Sequence, residues 1–221
     1  MISLNKLLGM NEDERAEYLY WRAINSEKRL NPEYEELIKL NPYYAYKYAI
    51  DIIKSRWKEA EPYIMKSPYC ACEYAINIIK GRWPEGEPHI MKHPGWIYSY
   101  AKYIIKGRWL EAEEFIKVSS EFAYRYALEI IEGRWSKAEP YIMKDPEWAY
   151  WYTKDIIKDR WSEAEPYIMK DPEYAYKYTR DVIKGRWKEA EPYIIKDLDM
   201  MAKYLKFLNE INQLPKIRLE D

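Results

Sequence analysis

The chain has little of what most reaction chemistry uses, since its 221 residues include only two histidines and two cysteines. His89 and His93 are four residues apart, a spacing that turns two imidazoles toward one ion on a helix, but Pro94 interrupts that helix. No third ligand stands at a fixed position nearby, as a zinc site would need. Cys70 and Cys72 point to different helix faces, so they neither share an ion nor pair with each other. We therefore predict no metal site and no cofactor.

Long apolar runs are also missing, because no stretch approaches the ~20 residues that span a bilayer. The first ten residues have neither the apolar core nor the cleavage site of a signal peptide. We therefore expect a cytoplasmic protein without membrane contact. The formal net charge is −1, from 36 Lys and Arg against 37 Asp and Glu, which argues against a nucleic-acid binder.

What the sequence has in abundance is tyrosine and tryptophan, 24 and 10 residues, arranged in tandem repeats. An Arg-Trp pair recurs at 56/57, 82/83, 108/109, 134/135, 160/161 and 186/187, which is a fixed 26-residue period. Such self-similarity is typical of proteins whose repeats stack on their neighbours. We predict an all-α fold, an α-solenoid of stacked two-helix repeats that is capped at both ends. We expect one domain over 1–221, with a cap helix in 1–28, repeats in 29–186, and a divergent last repeat with a C-terminal cap in 187–221.

Each repeat predicts two helices, A and B. Helix A is expected to begin after the Trp and to run for about nine residues, with a proline in its first turn. Helix B is expected to begin where a capping side chain precedes a proline or its equivalent, at Asn41-Pro42, Ser67-Pro68, Asp145-Pro146 and Asp171-Pro172. We expect helix B to end where glycine adopts the left-handed conformation at low cost, at Gly81, Gly107, Gly133 and Gly185.

Charged side chains follow the same repeat. Glutamates stand three and five residues after the Arg of each pair, except that Lys137 stands at the first of these places after Arg134, so we expect internal ion pairs rather than a basic surface for phosphates. The carboxylates are expected to face solvent or to lie in first helical turns, which is not the pattern of a tuned acid–base pair. Both histidines occupy columns that hold tyrosine or a helix cap in other copies, and the seven glycines form no phosphate loop. We therefore predict no catalytic residue and no enzyme.

The unit Arg-Trp-x-Glu-Ala-Glu-Pro-Tyr-Ile-Met-Lys-Asp-Pro-Glu-x-Ala covers roughly residues 30–212. It resembles one in uncharacterised repeat proteins of bacteria and, especially, of their phages. The resemblance implies an α-solenoid and a viral origin, and it implies no catalytic residue. Phage proteins of this size often disable a host defence, by gripping a host protein or by sequestering a signalling nucleotide. The resemblance therefore suggests an anti-defence role in the cytoplasm of a host cell.

Candidate binding residues are those at which a copy breaks its own rule on the outward columns of helix B. Aromatic or aliphatic residues replace the usual charged ones at Tyr43, Ile50, Tyr69, Ile76, Tyr103, Leu128 and Trp151. The second and ninth positions of helix B lie two turns apart, so Tyr43 with Ile50, and Tyr69 with Ile76, are expected to form paired patches. An exposed apolar patch of this kind indicates a surface for a protein partner.

Several alternatives to a protein partner stay open at this point. One alternative is that residues 1–28 fold back and cover the patch. Another is that the side chains of the patch stand singly and have no function. A third alternative is that an aromatic pocket between repeats sequesters a small nucleotide-like ligand, with Gly95 opening space for it. A last alternative is self-assembly through an end repeat. Our first prediction is a non-enzymatic protein that grips a partner protein through helix B.

Overall fold

The computed structural model describes residues 4–214, and in this part of the chain every regular element is a helix. Pairs of helices recur with the 26-residue period and contact their sequence neighbours, which confirms the predicted α-solenoid. The chain divides into two compact units, Met1–Phe115 and Ile116–Asp221. The single domain with caps in 1–28 and 187–221 stays a prediction. None of the described helices has both the length and the apolar character needed to cross a membrane.

The helices are numbered in chain order, and helix B of each repeat is even-numbered. The first unit contains α1 (Leu4–Leu8), α2 (Glu12–Ser26), α3 (Pro32–Ile38), α4 (Pro42–Tyr48), α5 (Glu61–Ile64), α6 (Pro68–Tyr74), α7 (Glu87–Ile90) and α8 (Pro94–Tyr100). A 3-10 helix at Leu110–Ala112 precedes α9 (Glu113–Ile116). The second unit contains α10 (Ser120–Tyr126), α11 (Glu139–Ile142), α12 (Pro146–Tyr152), α13 (Glu165–Ile168), α14 (Pro172–Tyr178), α15 (Glu191–Ile194) and α16 (Leu198–Glu210).

Side-chain caps begin helix B, as predicted. Asn41 and Ser67 each accept a hydrogen bond from the backbone N–H three residues further on. Asp145 and Asp171 each accept two such bonds, from the second and third residues that follow. The proline after each cap lies in the first turn, where its missing N–H would have had no partner within the helix.

Helix B ends differently from the prediction. Each helix B from α4 to α14 widens into a π-helical turn: Ala49–Ile53, Ala75–Ile79, Ala101–Ile105, Ala127–Ile131, Thr153–Ile157 and Thr179–Ile183. The residue after each turn, and not a glycine, is left-handed: Lys54, Lys80, Lys106, Glu132, Lys158 and Lys184. In the π-helical turn Ala49–Ile53, the Lys54 N–H donates to the Ala49 carbonyl at 2.8 Å, a bond between residues five apart. The left-handed residue therefore comes one position before the column in which glycine was predicted to end the helix. The prediction was therefore wrong for Gly81, Gly107, Gly133 and Gly185.

Helix A is shorter than predicted. In the repeat at Trp57, a turn closes where the Ala60 N–H donates to the Trp57 carbonyl at 3.0 Å, and the α-helical part spans only Glu61–Ile64. The predicted position of the proline is confirmed, since Pro62 lies in the first turn. Trp57 itself, which begins this turn, is 5% exposed and belongs to the core.

A hydrogen-bonded set of four residues holds the two helices of each repeat together. In the repeat at Arg82, the guanidinium donates two bonds of 2.8 Å to the carboxylate of Glu87. The hydroxyl of Tyr100 donates to Glu87 Oε1 at 2.9 Å and accepts from the Trp83 N–H at 2.7 Å. The buried carboxylate, the hydroxyl and the backbone N–H therefore all have partners, as burial requires.

The same set recurs with the 26-residue period, and it contains Arg56, Glu61, Tyr74 and Trp57; Arg134, Glu139, Tyr152 and Trp135; and Arg160, Glu165, Tyr178 and Trp161. These bonds confirm the predicted internal ion pairs. Glu87 lies in the first turn of α7, as expected for this column, but it is only 7% exposed, and this burial was not predicted. The bidentate Arg and the tyrosine hydroxyl compensate that burial.

The tyrosine of each set also belongs to the next repeat. The hydroxyl of Tyr74 bonds the Trp57 N–H of its own repeat, while its ring lies 5.3 Å from the ring of Trp83. In the second unit Tyr152 does the same, with its hydroxyl on Trp135 and its ring 5.2 Å from Trp161. One buried side chain therefore joins two consecutive repeats.

The end of the described chain is less polar than a cap is expected to be. Helix α16 has no π turn, and the Arg186 N–H donates to Gln213 Oε1 at 2.7 Å. Ile195, Leu198 and Leu205 are 53%, 76% and 41% exposed. The predicted polar tail falls largely on 215–221, which lie outside the described residues.

The first prediction concerns the four-residue set. Tyr100→Phe removes a hydroxyl that satisfies both Glu87 and the Trp83 N–H, so we expect the free energy of unfolding to fall by about 1–3 kcal/mol. Urea denaturation measures this loss. Tyr103→Phe is the matched control, since Tyr103 lies three residues further along and is 54% exposed. Equal stabilities of the two variants would contradict the role assigned to the hydroxyl.

The second prediction concerns acid stability of the second unit. Burial raises the pKa of Asp181, but hydrogen bonds from Arg180 and Tyr150 outweigh it and lower the pKa to about 2. Because an unfolded aspartate has a pKa of about 3.9, this carboxylate stabilises the fold above about pH 4 and loses that effect as the pH falls toward 2. Asp181→Asn should therefore be less stable than the wild type at neutral pH, and the difference should shrink below about pH 4. A difference that stays constant in urea titrations across this range would refute the assignment.

Candidate interaction surface

Aromatic rings lie side by side on the helix B layer of the first unit. Tyr43 and Tyr69 are 45% and 37% exposed, and their rings stack with centroids 6.5 Å apart and planes 21° apart. The Tyr69 ring also lies 5.2 Å from that of Trp96 on α8. The sequence therefore identified two members of a series of ring contacts that runs over three successive B helices, α4, α6 and α8.

Helix α2 extends this chain in the other direction. The Tyr43 ring lies 5.2 Å from Tyr44, which lies 5.7 Å from Tyr20, and Tyr20 lies 5.3 Å from Trp21. Trp21 is 52% exposed. We call the set Tyr20, Trp21, Tyr43, Tyr44, Tyr69 and Trp96 the aromatic face.

Helix α2 does not cover the aromatic face but takes the place of a preceding helix B. Tyr20 stands one full repeat period before Tyr46. Its hydroxyl donates to Asp51 at 2.7 Å, and the equivalent contact one repeat later is the bond of 3.1 Å from the Asn77 amide to the Tyr46 hydroxyl. Because α2 lies beside α4 in this register, Tyr43 keeps its exposure.

Two predicted partners of the tyrosines are placed differently. Ile50 and Ile76 are half-buried, whereas Tyr43 and Tyr69 are exposed. Both isoleucines lie in π-helical turns, where each residue turns through a smaller angle than in an α-helix. The paired patches of Tyr43 with Ile50, and of Tyr69 with Ile76, therefore stay a prediction.

Tyr103 is the most exposed of the predicted site residues in the first unit, at 54%. It lies in the π-helical turn after α8, and the ammonium of Lys102 stands 5.6 Å from its ring centroid. The corresponding column holds Asp51 and Asn77, which bond a tyrosine hydroxyl of the preceding helix. For Tyr103, the residue in the place of that tyrosine on the preceding helix B is Cys72, which has no hydroxyl.

The remaining predicted residues lie in the second unit. Leu128 is half-buried and lines a groove of about 220 Å³ together with Ile156 and Lys158. Trp151 is half-buried, with its ring 5.0 Å from Tyr150 and the ammonium of Lys154 5.1 Å from its centroid. Both side chains are therefore less exposed than Tyr43 and Tyr69.

Carboxylates flank the aromatic face. Burial raises the pKa of Tyr44, and the charges of Glu17 and Asp13 raise it further. Burial likewise raises the pKa of Tyr69, and Glu73 is the first of the charges that add to this effect. Glu17, Asp13 and Glu73 therefore lie near these rings, and Lys47 acts on the pKa of Tyr69 in the opposite direction.

Trp21 and Trp96 belong to the aromatic face but were not among the predicted site residues. The signal for Trp21 was its place one period before Lys47, in the same column as Trp151. It was missed because the Arg29-Leu30 copy is out of step with the later copies by a single position, which hides the register of α2. Trp96 stands in a column that is aromatic in most copies, so no contrast between copies marks it.

His93, Cys70 and Cys72, whose side chains could take part in catalysis or metal binding, either cap a helix or are buried. His93 caps α8, its Nδ1 accepting from the Gly95 N–H at 3.2 Å, as its cap column predicts. Cys70 and Cys72 are buried free thiols, and burial raises the pKa of Cys72 to about 12, which makes it a poor nucleophile. Within residues 4–214, no group of three or more His, Cys, Asp and Glu side chains is placed to hold a metal ion.

No protein-family model, no curated protein and no solved structure matches this chain. Its function must therefore be inferred from its own residues.

The third prediction tests whether the aromatic face serves stability. Because Tyr43 and Tyr69 are exposed and make no hydrogen bond comparable to those of Tyr100, Tyr43→Ala with Tyr69→Ala should lower the free energy of unfolding by only about 1 kcal/mol. Urea denaturation followed by helical circular dichroism measures it. A loss as large as that of Tyr100→Phe would show that these rings belong to the core.

Proposed function

We propose that this chain is a non-enzymatic helical-repeat binding protein that grips a partner protein through the aromatic face. The supporting observation is the unbroken series of ring contacts from Trp21 to Trp96, with Trp21, Tyr43 and Tyr69 exposed. Clustered exposed rings usually mark an interaction site. Tyrosine and tryptophan also dominate the binding energy of protein interfaces, because they bury a large area at little entropic cost.

The charges around the face favour a partner segment that combines apolar side chains with Arg or Lys. Glu17, Asp13 and Glu73 lie close enough to its tyrosines to raise the pKa of Tyr44 or Tyr69. Arg and Lys are also attracted to the faces of tyrosine and tryptophan rings. The fold itself already uses this interaction at Tyr20, where the ammonium of Lys47 lies 6.0 Å from the ring centroid.

The repeated carboxylates support a binding role rather than a catalytic one. Burial raises the pKa of Glu87, but hydrogen bonds from Arg82 and Tyr100 outweigh it and lower the pKa below the ordinary value. A carboxylate held in its charged form by two fixed donors is a structural group. The same arrangement in successive repeats fits a scaffold role.

Cellular context rests on the sequence resemblance alone. If the chain acts as phage proteins of similar size do, its partner is a host defence factor and its compartment is the host cytoplasm. The alternative function from the sequence, sequestration of a nucleotide-like ligand, requires rings around a cavity. The rings of the aromatic face instead lie along one helix layer, which suits a larger partner.

The fourth prediction tests the proposed partner chemistry. Selection from a displayed peptide library against the immobilised protein should enrich sequences that combine apolar residues with Arg or Lys. The enriched peptides should bind Tyr43→Ala with Tyr69→Ala roughly tenfold more weakly or worse, by fluorescence anisotropy.

The matched control is Leu110→Ala with Phe115→Ala, which removes two side chains that are 65% and 52% exposed in the same unit. This variant should bind the peptides as the wild type does. Enrichment of acidic sequences, or equal weakening in both double variants, would contradict the proposal.

A further inference from the structure

A groove of about 350 Å³ opens in the second unit between α14, with its π turn, and α16. Tyr176, Met200 and Phe207 provide its apolar wall. Its remaining lining is charged, and consists of Glu173, Lys177, Arg180, Lys203, Lys206 and Glu210. This groove is separate from the aromatic face, whose residues all belong to the first unit.

Earlier repeats show why the space opens here. At the two preceding steps the fifth residue of helix B packs against a ring on the next helix, Tyr124 on Trp148 at 5.6 Å and Tyr150 on Tyr174 at 5.9 Å. At the step after α14, the third residue of the next helix is Met200. A flexible thioether side chain thus replaces a ring beside Tyr176, and it fills less of the space.

A second substitution removes a negative charge from the same place. The hydroxyls of Tyr124 and Tyr150 donate to Asp155 and Asp181 on the following helix, at 2.6 and 2.5 Å. The residue in that column of α16 is Phe207. The groove therefore gains a second ring and has no carboxylate opposite the fifth-position tyrosine.

The cations around the groove differ in whether a carboxylate pairs with them. Lys177 pairs with Glu173 at 2.6 Å, and Lys203 pairs with Asp199 at 2.6 Å. Arg180 lies 5.4 Å from the Tyr176 ring centroid and pairs with Asp181 at 2.6 Å.

Lys206 makes no ion pair with any described residue. It is exposed at the groove, with Phe207 next to it in sequence. Of the four cationic side chains that line this groove, Lys177, Arg180 and Lys203 are paired with carboxylates, so Lys206 is the lining cation that is available to an anion.

We propose that this groove binds an anion carried on a flat ring, with a nucleoside monophosphate as the fitting class of ligand. The ring would lie against Tyr176 and Phe207, since aromatic side chains stack on bases of any sequence. The phosphate would lie at Lys206, which makes no ion pair with a described residue, and Lys203 lies one helical turn before it on α16. Met200 leaves the room for the ring.

The fifth prediction is tested by isothermal titration calorimetry of the full chain with adenosine monophosphate, adenosine and inorganic phosphate. Adenosine monophosphate should bind saturably, and each of the other two probes should bind roughly tenfold more weakly or worse, because the site uses both ring and charge. Lys206→Glu should weaken binding of adenosine monophosphate by roughly tenfold or more. Lys188→Glu, the same charge change at an exposed lysine outside the groove, should leave it unchanged within about twofold.

A second variant restores the residue types of the earlier repeats. Met200→Tyr with Phe207→Asp should fill the groove and give Tyr176 a carboxylate partner, so it should abolish binding without loss of stability in urea. Absence of saturable binding by adenosine monophosphate, equal binding of inorganic phosphate alone, or unchanged affinity in Lys206→Glu would each overturn the proposal.

Discussion

The buried tyrosine hydroxyl that bonds both a glutamate and a tryptophan N–H is the interaction on which each repeat depends. In the repeat at Arg82, Tyr100 closes a set in which the carboxylate of Glu87 is held by two bonds from the guanidinium. Burying a carboxylate is costly unless it is paired and hydrogen-bonded, and this set meets both conditions. Since the ring of each such tyrosine packs on the tryptophan of the following repeat, the same side chain sets the spacing of consecutive helix pairs. The recurring residues are therefore occupied by structure, and the outward columns are available for binding.

Much of the fold could be predicted from local signals. The 26-residue period is visible in the sequence itself, and a cap-proline pair such as Asn41-Pro42 begins a helix for local chemical reasons. Both predictions are confirmed. The π-helical turn could not be predicted, because Ala49 to Ile53 has the composition of an ordinary α-helix and no residue type marks the wider turn. Burial of Glu87 was missed for a related reason. A charged residue becomes a core residue only when tertiary partners surround it, and a sequence column does not show where those partners lie.

The candidate site was predictable in part, and each limit has a structural cause. Tyr43 and Tyr69 differ from the glutamate of other copies and are exposed. Ile50 differs equally from its column, yet it lies half-buried in a π-helical turn. Trp21 was hidden by a single-residue offset between copies. The groove at Met200 and Phe207 lies in a divergent copy whose changes were assigned to capping, although two of them alter the wall of one groove.

The tyrosine that crosses from one repeat to the next has a consequence for how such a chain changes length. Because its hydroxyl and its ring find the same partners at successive internal steps, a segment one period long is a complete unit wherever its boundary is drawn. Duplicating or deleting one whole period within a unit therefore keeps the tyrosine–tryptophan contact at each junction. The gene for such an array can therefore be lengthened or shortened by recombination between its own copies, while point substitutions on the outer columns diversify each copy independently.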